Sequence, residues 1–274
     1  MRKTTSAAAL RALVGGMVFL LAGAAAKPAR AEFAIAVAPP RFELDAKPGE
    51  RIRRTLDITN AGSAPAKLTV RTADWVYGQD GGVTFLEPLS PGSCRPWVAI
   101  ERREVTVGAG RNYRFRFEVA PPADAPKEEC RFAILIEGTG DSLGAAGLPI
   151  AFNGRVAIIV YLAVGDVKPK LEVLGGEVRN VDGQPTAVLR VRNSGTAHGR
   201  LEGFLSGVDA AGTSLDFAPS NAPILPDEVR VIPLVPTRRG DPETRVAPAF
   251  PVTVKGKLEW GKSESQDIEQ RFGP

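Results

Sequence analysis

The stretch RNYRFRFEV, residues 111–119, predicts the fold class of this chain. Its apolar and polar side chains alternate: Tyr113, Phe115, Phe117 and Val119 stand between Asn112, Arg114, Arg116 and Glu118. Because successive side chains of a strand point to opposite faces, this pattern indicates a strand with one buried face and one solvated face. The arginines of the stretch are therefore interpreted as a solvated face and not as a binding patch.

The same alternation recurs along the chain, with turn residues such as Asn-x-Gly and Asp-Gly between the apolar runs. In the first half it marks residues 56–58, 68–70 and 130–136, and in the second half residues 170–173, 187–191, 201–205, 229–234 and 252–260. Short strands with frequent turns and no long amphipathic helix are typical of antiparallel sandwiches. We therefore predict an all-β fold of two antiparallel β-sandwich domains in tandem.

The N-terminus has the pattern of an export signal. Arg2 and Lys3 precede an apolar segment, residues 12–26, and Ala29-Arg30-Ala31 provides small residues at a cleavage site. We expect a signal peptide at 1–31, an N-terminal domain at 32–165 and a C-terminal domain at 166–274, with residues 166–169 as linker. An uncleaved N-terminal anchor is the alternative. The expected localisation is periplasmic, and no later segment is apolar enough to insert the mature chain into a membrane.

Removal of the leader changes the charge of the protein. Five of the 35 basic residues lie in residues 1–31, which hold no acidic residue, so 30 basic residues remain against 31 acidic ones. A nearly neutral chain lacks the positive excess that attracts nucleic acids or anionic membranes. Nucleic acid is therefore not an expected partner.

The chain has two cysteines, Cys94 and Cys130, both after the leader. Exported thiols of this kind usually pair, so we predict a structural disulfide, with two reduced buried thiols as the alternative. The cysteines are not in a C-x-x-C arrangement and the one histidine, His198, is distant in sequence. We therefore expect no metal site and no redox role.

The sequence gives little support for catalysis. No G-x-G-x-x-G dinucleotide fingerprint occurs, and the one histidine, His198, lies in a Gly-rich segment interpreted as a loop. The pair Glu128-Glu129 is interpreted as solvated loop charge. We therefore predict a protein that is not an enzyme and needs no cofactor.

Several segments resemble the N-terminal domain of PapD-like periplasmic chaperones of the chaperone-usher pilus pathway. The resemblance is carried by residues 40–44 (PRFEL), 56–60 (LDITN), 97–100 (WVAI) and 105–117, and by Asp74-Trp75. It implies two immunoglobulin-like sandwiches that bind pilus or fimbrial subunits by lending an edge strand to the incomplete sheet of each subunit. It implies pilus subunits as partners and points to an outer-membrane usher as a second one.

The resemblance places the lent strand just before the linker. Apolar residues at alternate positions make Leu148, Ile150 and Phe152 the candidate donor residues, with residues 156–164 completing the chain's own sheet. The alternative is a two-residue turn at Asn153-Gly154, a strong hairpin signal that would make the segment an internal hairpin.

The resemblance also implies a basic anchor for the terminal carboxylate of the subunit. Arg41 falls at the position of the anchoring arginine of the family, and a guanidinium suits a carboxylate. The lysine of the family has no counterpart, since residues 156–164 contain no cation, and Arg155 is the nearest substitute. A different class of function stays open: a structural or adhesive module of two sandwiches that lends no strand.

Overall fold

The structure is a computed structural model that describes residues 33–143 and 149–273, with backbone alone for 139–143 and 149–152. Its described residues form strands and one short 3-10 helix, Arg95–Trp97. Strands β1 to β10 make the first sandwich: β1 (Ile35–Ala38), β2 (Arg41–Ala46), β3 (Ile52–Asn60), β4 (Ala66–Tyr77), β5 (Val83–Leu86), β6 (Val98–Ile100), β7 (Glu104–Val107), β8 (Asn112–Val119), β9 (Glu129–Leu143) and β10 (Pro149–Val164).

The first sandwich consists of two sheets around one apolar core. One sheet has the order β1-β3-β8-β6, and the other has the order β2-β10-β9-β4-β5 with β7 also paired to β4. In β8, Phe115, Phe117 and Val119 are buried while Arg114 and Arg116 are exposed. The predicted all-β fold and the predicted faces of this strand are confirmed.

The chain changes sheet at Pro39-Pro40. β1 before it runs antiparallel to β3, with Ile35 opposite Asn60, whereas β2 after it runs parallel to β10, with Arg41 opposite Ile159. Proline has no N–H to donate to a ladder, so two consecutive prolines end the first pairing and allow the second one to start. This change of sheet places Arg41 beside β10.

β9 and β10 form one long antiparallel hairpin. Asn153 stands opposite Thr139 and Gly154 opposite Gly138, so β10 runs through this dipeptide without a turn. The alternative of a turn at Asn153-Gly154 is therefore wrong. The glycine has a packing reason, because a Cβ at Gly154 would lie 2.0 Å from a ring carbon of Phe33. The ring takes the space that a side chain would need.

The second sandwich comprises strands β11 to β18. These are β11 (Leu171–Val181), β12 (Gln184–Asn193), β13 (Leu205–Val208), β14 (Ser214–Pro219), β15 (Val229–Arg238), β16 (Asp241–Arg245), β17 (Val252–Trp260) and β18 (Glu264–Phe272). β15 joins the two layers, because its first half pairs with β12 and its second half with β14. The prediction of two tandem sandwiches is confirmed.

Two details of the second sandwich differ from the sequence prediction. Residues 201–204 are not a strand, since Glu202 makes only an isolated bridge to Glu259 and Gly203 has a φ of +129°. β14, β16 and β18 were not predicted. β14 has only the short alternation of Leu215 and Phe217, and β16 and β18 hold few apolar residues, so their pairing partners more than their own pattern define them.

A buried asparagine has the same role in each sandwich. Asn60 donates from its side-chain amide to Ala64 at 2.8 Å and to Val107 at 3.0 Å, and its Oδ1 accepts from the N–H two residues on. Asn193 likewise donates to Ala197 and Ile224, both at 2.8 Å, and its Oδ1 accepts from the N–H two residues on. In each sandwich the asparagine of the Asn-x-Gly motif thus fixes the conformation of the loop that follows it.

The predicted disulfide between Cys94 and Cys130 is confirmed. It joins the residue before the 3-10 helix to β9, with 6.0 Å between the Cα atoms. Both cysteines are buried in the core of the first sandwich. The bridge therefore ties the long loop after β5 to the central sheet.

Candidate functional site

The outer face of the sheet β2-β10-β9-β4 carries a small apolar cluster that meets the second sandwich. Ala133, Leu135, Trp75, Tyr161 and Ala73 are buried there, and Leu225 of the second sandwich packs against them. The Trp75 and Tyr161 rings meet edge to face at 5.4 Å, and the indole N–H of Trp75 donates to the Phe132 carbonyl at 3.1 Å. This face is therefore the floor of the contact between the sandwiches.

Arg230 closes one end of this contact. Its guanidinium lies 4.1 Å from the centre of the Tyr77 ring and donates to the Gly78 carbonyl at 2.9 Å. Glu228 of the same sandwich binds the guanidinium at 2.5 Å. Arg230 is 2% exposed, so these partners take the place of water around its two terminal nitrogens, while its Nε has no hydrogen-bond partner.

His198 closes the other end. Its ring stacks on Tyr161, with 3.8 Å between the ring centres, and its Nδ1 lies 2.6 Å from Glu129 Oε2. Its Nε2 lies 3.6 Å from Glu43 Oε1. His198 belongs to the second sandwich and these three partners to the first, so one imidazole contacts three side chains of the other sandwich.

The expectation that Glu129 is solvated is wrong, because its side chain is only 2% exposed. The sequence places it between Glu128 and Cys130 in a segment typical of a loop, but it begins β9 and points to His198. The backbone N–H of His198 also donates to Glu129 Oε2 at 3.0 Å. A buried carboxylate needs such partners, and in this protein they come from the other sandwich.

The ionisable groups at this end of the contact shift one another's pKa values. The adjacent His198 ring lowers the pKa of Glu43 to about 2 against the opposing effect of burial, and the charges of Arg41 and Arg200 contribute to the lowering. Burial alone would lower the pKa of His198, but the hydrogen bond to Glu129, the contact with Glu43 and the negative charges of both carboxylates outweigh it, so the pKa is raised. Burial raises the pKa of Tyr161 to about 12.

Arg41 lies at the margin of the same cluster. Its Nε is 2.9 Å from Glu43 Oε1, and its side chain is 40% exposed. The Nε of Arg200 is 3.8 Å from the same oxygen. A cavity of about 710 Å³ opens beside them, lined from the first sandwich by Glu43 and Tyr161 and from the second by His198 and Arg200. The predicted anchor Arg41 thus sits next to the cavity between the sandwiches.

Arg155 shares the sheet face of Arg41 but not its surroundings. Arg41 is opposite Ile159, so the two arginines are separated by four residues along β10, or about 13 Å. Arg155 binds Glu137 at 2.5 Å, and Arg71 binds the other oxygen of Glu137 at 2.8 Å. The structure therefore does not bring Arg41 and Arg155 together around one carboxylate.

The candidate donor residues lie in the first half of β10. Leu148 is outside the described residues. On one side, β9 pairs with this half of β10: Ser142 stands opposite Ile150, and Gly140 stands opposite Phe152. On the other side, β2 is paired with β10 only from Ile159 to Val164. In the part of the chain that the structure describes, no strand pairs with the first half of β10 along that edge.

Sequence reasoning missed His198, Glu129 and Arg200 as members of a site. No motif marks them, because the residues that meet are 69 positions apart along the chain. Within residues 33–143 and 149–273 no cluster of His, Cys, Asp or Glu is arranged to hold a metal ion. The same residues contain no helix with the length and hydrophobicity of a membrane span.

Solved fimbrial chaperones have similar structures at low sequence identity. The class 5 fimbriae chaperone CfaA gives a TM-score of 0.48 and 13% identity over 88% of this chain and 99% of that chain. The CsuC–CsuE chaperone–tip adhesion subunit complex of Acinetobacter baumannii gives 0.44 and 15%, over 88% and 99%. The SafA pilin–SafB chaperone complex of Salmonella enterica gives 0.46 and 13%, over 87% and 97%. No family model and no curated protein matches the chain.

Proposed function

We propose that this protein is a periplasmic chaperone that binds pilus or fimbrial subunits by pairing the free edge of β10 with their incomplete sheet. The single observation that carries the proposal is the partial covering of this strand. β2 pairs with β10 over Ile159–Val164, whereas residues 149–158 have no described partner on that side. An exposed edge with alternate apolar residues is the structure that strand addition requires.

The backbone direction of β10 supports this role. Ile159 donates its N–H to Pro40 and Gly165 donates to Ala46, both on the β2 side, whereas Val164 donates to Glu128 on the β9 side. Because backbone groups alternate along a strand, the N–H and C=O groups of Asn153, Arg155 and Ala157 face the free edge. A strand of a subunit would find these groups available.

Arg41 is the proposed carboxylate anchor. Its side chain is 40% exposed and lies where β2 begins to cover β10, next to the cavity between the sandwiches. The terminal carboxylate of a strand paired along the free edge would arrive at this point. Arg155, held by Glu137 in the middle of the edge, suits contact with the paired strand better than with its terminus.

The test is capture of a pilus subunit by the full chain co-expressed in a periplasm. The double variant Ile150→Asp/Phe152→Asp should reduce the co-purified subunit at least tenfold, because charges at alternate apolar positions oppose entry into a core. The matched control is Ala151→Asp/Asn153→Asp, which adds the same charges at the intervening positions and should retain capture. Equal capture by both variants would refute strand donation.

The alternative function is a structural or adhesive module of two sandwiches that lends no strand. In that case the wild-type chain would capture no subunit, and disrupting the contact between the sandwiches would impair its function more than charging the edge of β10.

A further inference from the structure

We propose that His198 is a proton-controlled joint that holds the two sandwiches together in its protonated form and loosens when it becomes neutral. The proposal does not depend on the chaperone function. It rests on the position of one buried imidazole between two carboxylates of the other sandwich. Its side chain is 10% exposed, Glu129 is 2% exposed and Glu43 is 50% exposed.

Only the protonated ring satisfies both carboxylates. An imidazolium has two N–H donors, whereas a neutral imidazole has one. With Glu129 at 2.6 Å from Nδ1 and Glu43 at 3.6 Å from Nε2, the neutral ring keeps a donor for one of them and presents a lone pair to the other. The neutral ring therefore loses a contact across the joint together with its charge.

Deprotonation of His198 leaves Glu129 without its counter-charge. Its Oε1 has no hydrogen-bond partner and lies 3.9 Å from Arg131, while its Oε2 depends on the ring and the backbone of His198. A buried carboxylate whose counter-charge is removed is costly to retain. Separation of the sandwiches would return Glu129 to water, so deprotonation of His198 favours the looser arrangement.

Three arginines and a tyrosine surround His198 and its two carboxylates. Arg41 faces Glu43 from β2, Arg131 faces Glu129 from β9, and Arg200 lies beside Glu43 on the segment of His198 itself. Tyr161, which stacks on the ring from β10, has its pKa raised to about 12 by burial. Histidine is the side-chain type in this cluster whose ordinary pKa lies closest to neutral pH.

The direction of the pKa shift of His198 determines how the stability of the joint depends on pH. The pKa of His198 is raised above its ordinary value of about 6.5 because the two carboxylates outweigh burial. The contribution of the protonated ring is complete below that ordinary value and is lost as pH rises through the raised one. The joint is therefore tight below the ordinary pKa of histidine and loosens as pH rises through the raised pKa of His198.

The experiment follows the single histidine by NMR in the full chain, prepared without a histidine tag. The ring-proton signal of His198 should carry an upfield shift from the Tyr161 ring, and its pKa should exceed that of the urea-unfolded chain. Glu129→Gln and Glu43→Gln should each lower this pKa. Asp57→Asn, a carboxylate variant on the outer face of the other sheet, should leave it unchanged.

Small-angle X-ray scattering across the same pH range supplies the readout that a merely structural histidine would not change. The radius of gyration should rise as His198 loses its proton, in step with loss of the upfield shift. His198→Phe, which keeps a ring against Tyr161, should have the larger radius at every pH. A folded-state pKa of His198 at or below its pKa in the unfolded chain would overturn the proposal. So would a radius of gyration that stays constant while His198 titrates. Neither result depends on the Phe variant or on a pilus subunit.

Discussion

Removal of the disulfide between Cys94 and Cys130 should destabilise the first sandwich by about 4 kcal/mol. The bridge closes a loop with a sequence separation of 36 residues. The loop-closure entropy that such a bridge removes from the unfolded chain is about 13 cal/mol/K, or about 4 kcal/mol at 25 °C. At about 2 to 4 °C per kcal/mol for a protein of this size, the melting temperature should fall by about 8 to 16 °C.

The assay is urea unfolding followed by tryptophan fluorescence, since Trp97 lies in the bridged loop region and Trp75 in the adjacent sheet. The double variant Cys94→Ala/Cys130→Ala is compared with the oxidised and the reduced wild type. Reduced wild type keeps both sulfur atoms, so it separates the loss of the bridge from the loss of packing. If oxidised and reduced wild type differ by less than about 1 kcal/mol, the chain-entropy reasoning is wrong for this protein.

Three further perturbations have defined outcomes. Asn60→Ala and Asn193→Ala should each reduce the free energy of unfolding by about 3 kcal/mol, because each leaves buried backbone groups without partners, as measured by urea unfolding. Gly154→Ala should cost about 1 to 3 kcal/mol, because its Cβ would clash with the Phe33 ring. Between pH 5 and pH 2 the wild type should lose more stability than Glu43→Gln in acid-titrated melting. Because the folded-state pKa of Glu43 is about 2, its ionised carboxylate stabilises the fold above the ordinary pKa of 4.5, and this stabilisation is lost as pH falls toward 2.

Matched variants test each reason. Asn112→Ala removes an exposed amide and should change stability by less than about 0.5 kcal/mol. Gly108→Ala brings a Cβ to 3.3 Å from the flexible side chain of Arg111 and should be tolerated better than Gly154→Ala. Asp57→Asn should follow the wild type in acid. Equal effects within any of these pairs would contradict the contact invoked for it.

The strands that the sequence predicts well are those whose own alternation decides their faces. β8 is an example, because burial of every second residue needs no information from elsewhere in the chain. The dipeptide Asn153-Gly154 shows where such local reasoning fails. Its turn propensity is overridden by pairing with β9 along the whole strand and by the Phe33 ring that fills the space over Gly154.

For the candidate site, sequence reasoning likewise reached some residues and missed others. Arg41 and the segment around Ile150 were predicted from sequence, because a resemblance in local motifs names individual positions, and their roles stay predictions. Glu129 was misjudged because its neighbours in sequence suggest a solvated loop, whereas its burial comes from a histidine 69 positions away. The separation of Arg41 from Arg155 likewise depends on the register between β2 and β10, which no local pattern contains.

The sequence by itself determined that this chain is all-β, that it holds two tandem sandwiches and that its two cysteines can pair, because alternation and composition act over a few residues. Only the tertiary structure decided which edge of β10 is covered, and that His198 lies between Glu43 and Glu129. Strand register and charge burial are set by residues far apart in the chain. Their energies depend on distance and solvent access in space, and separation along the sequence carries no information about either.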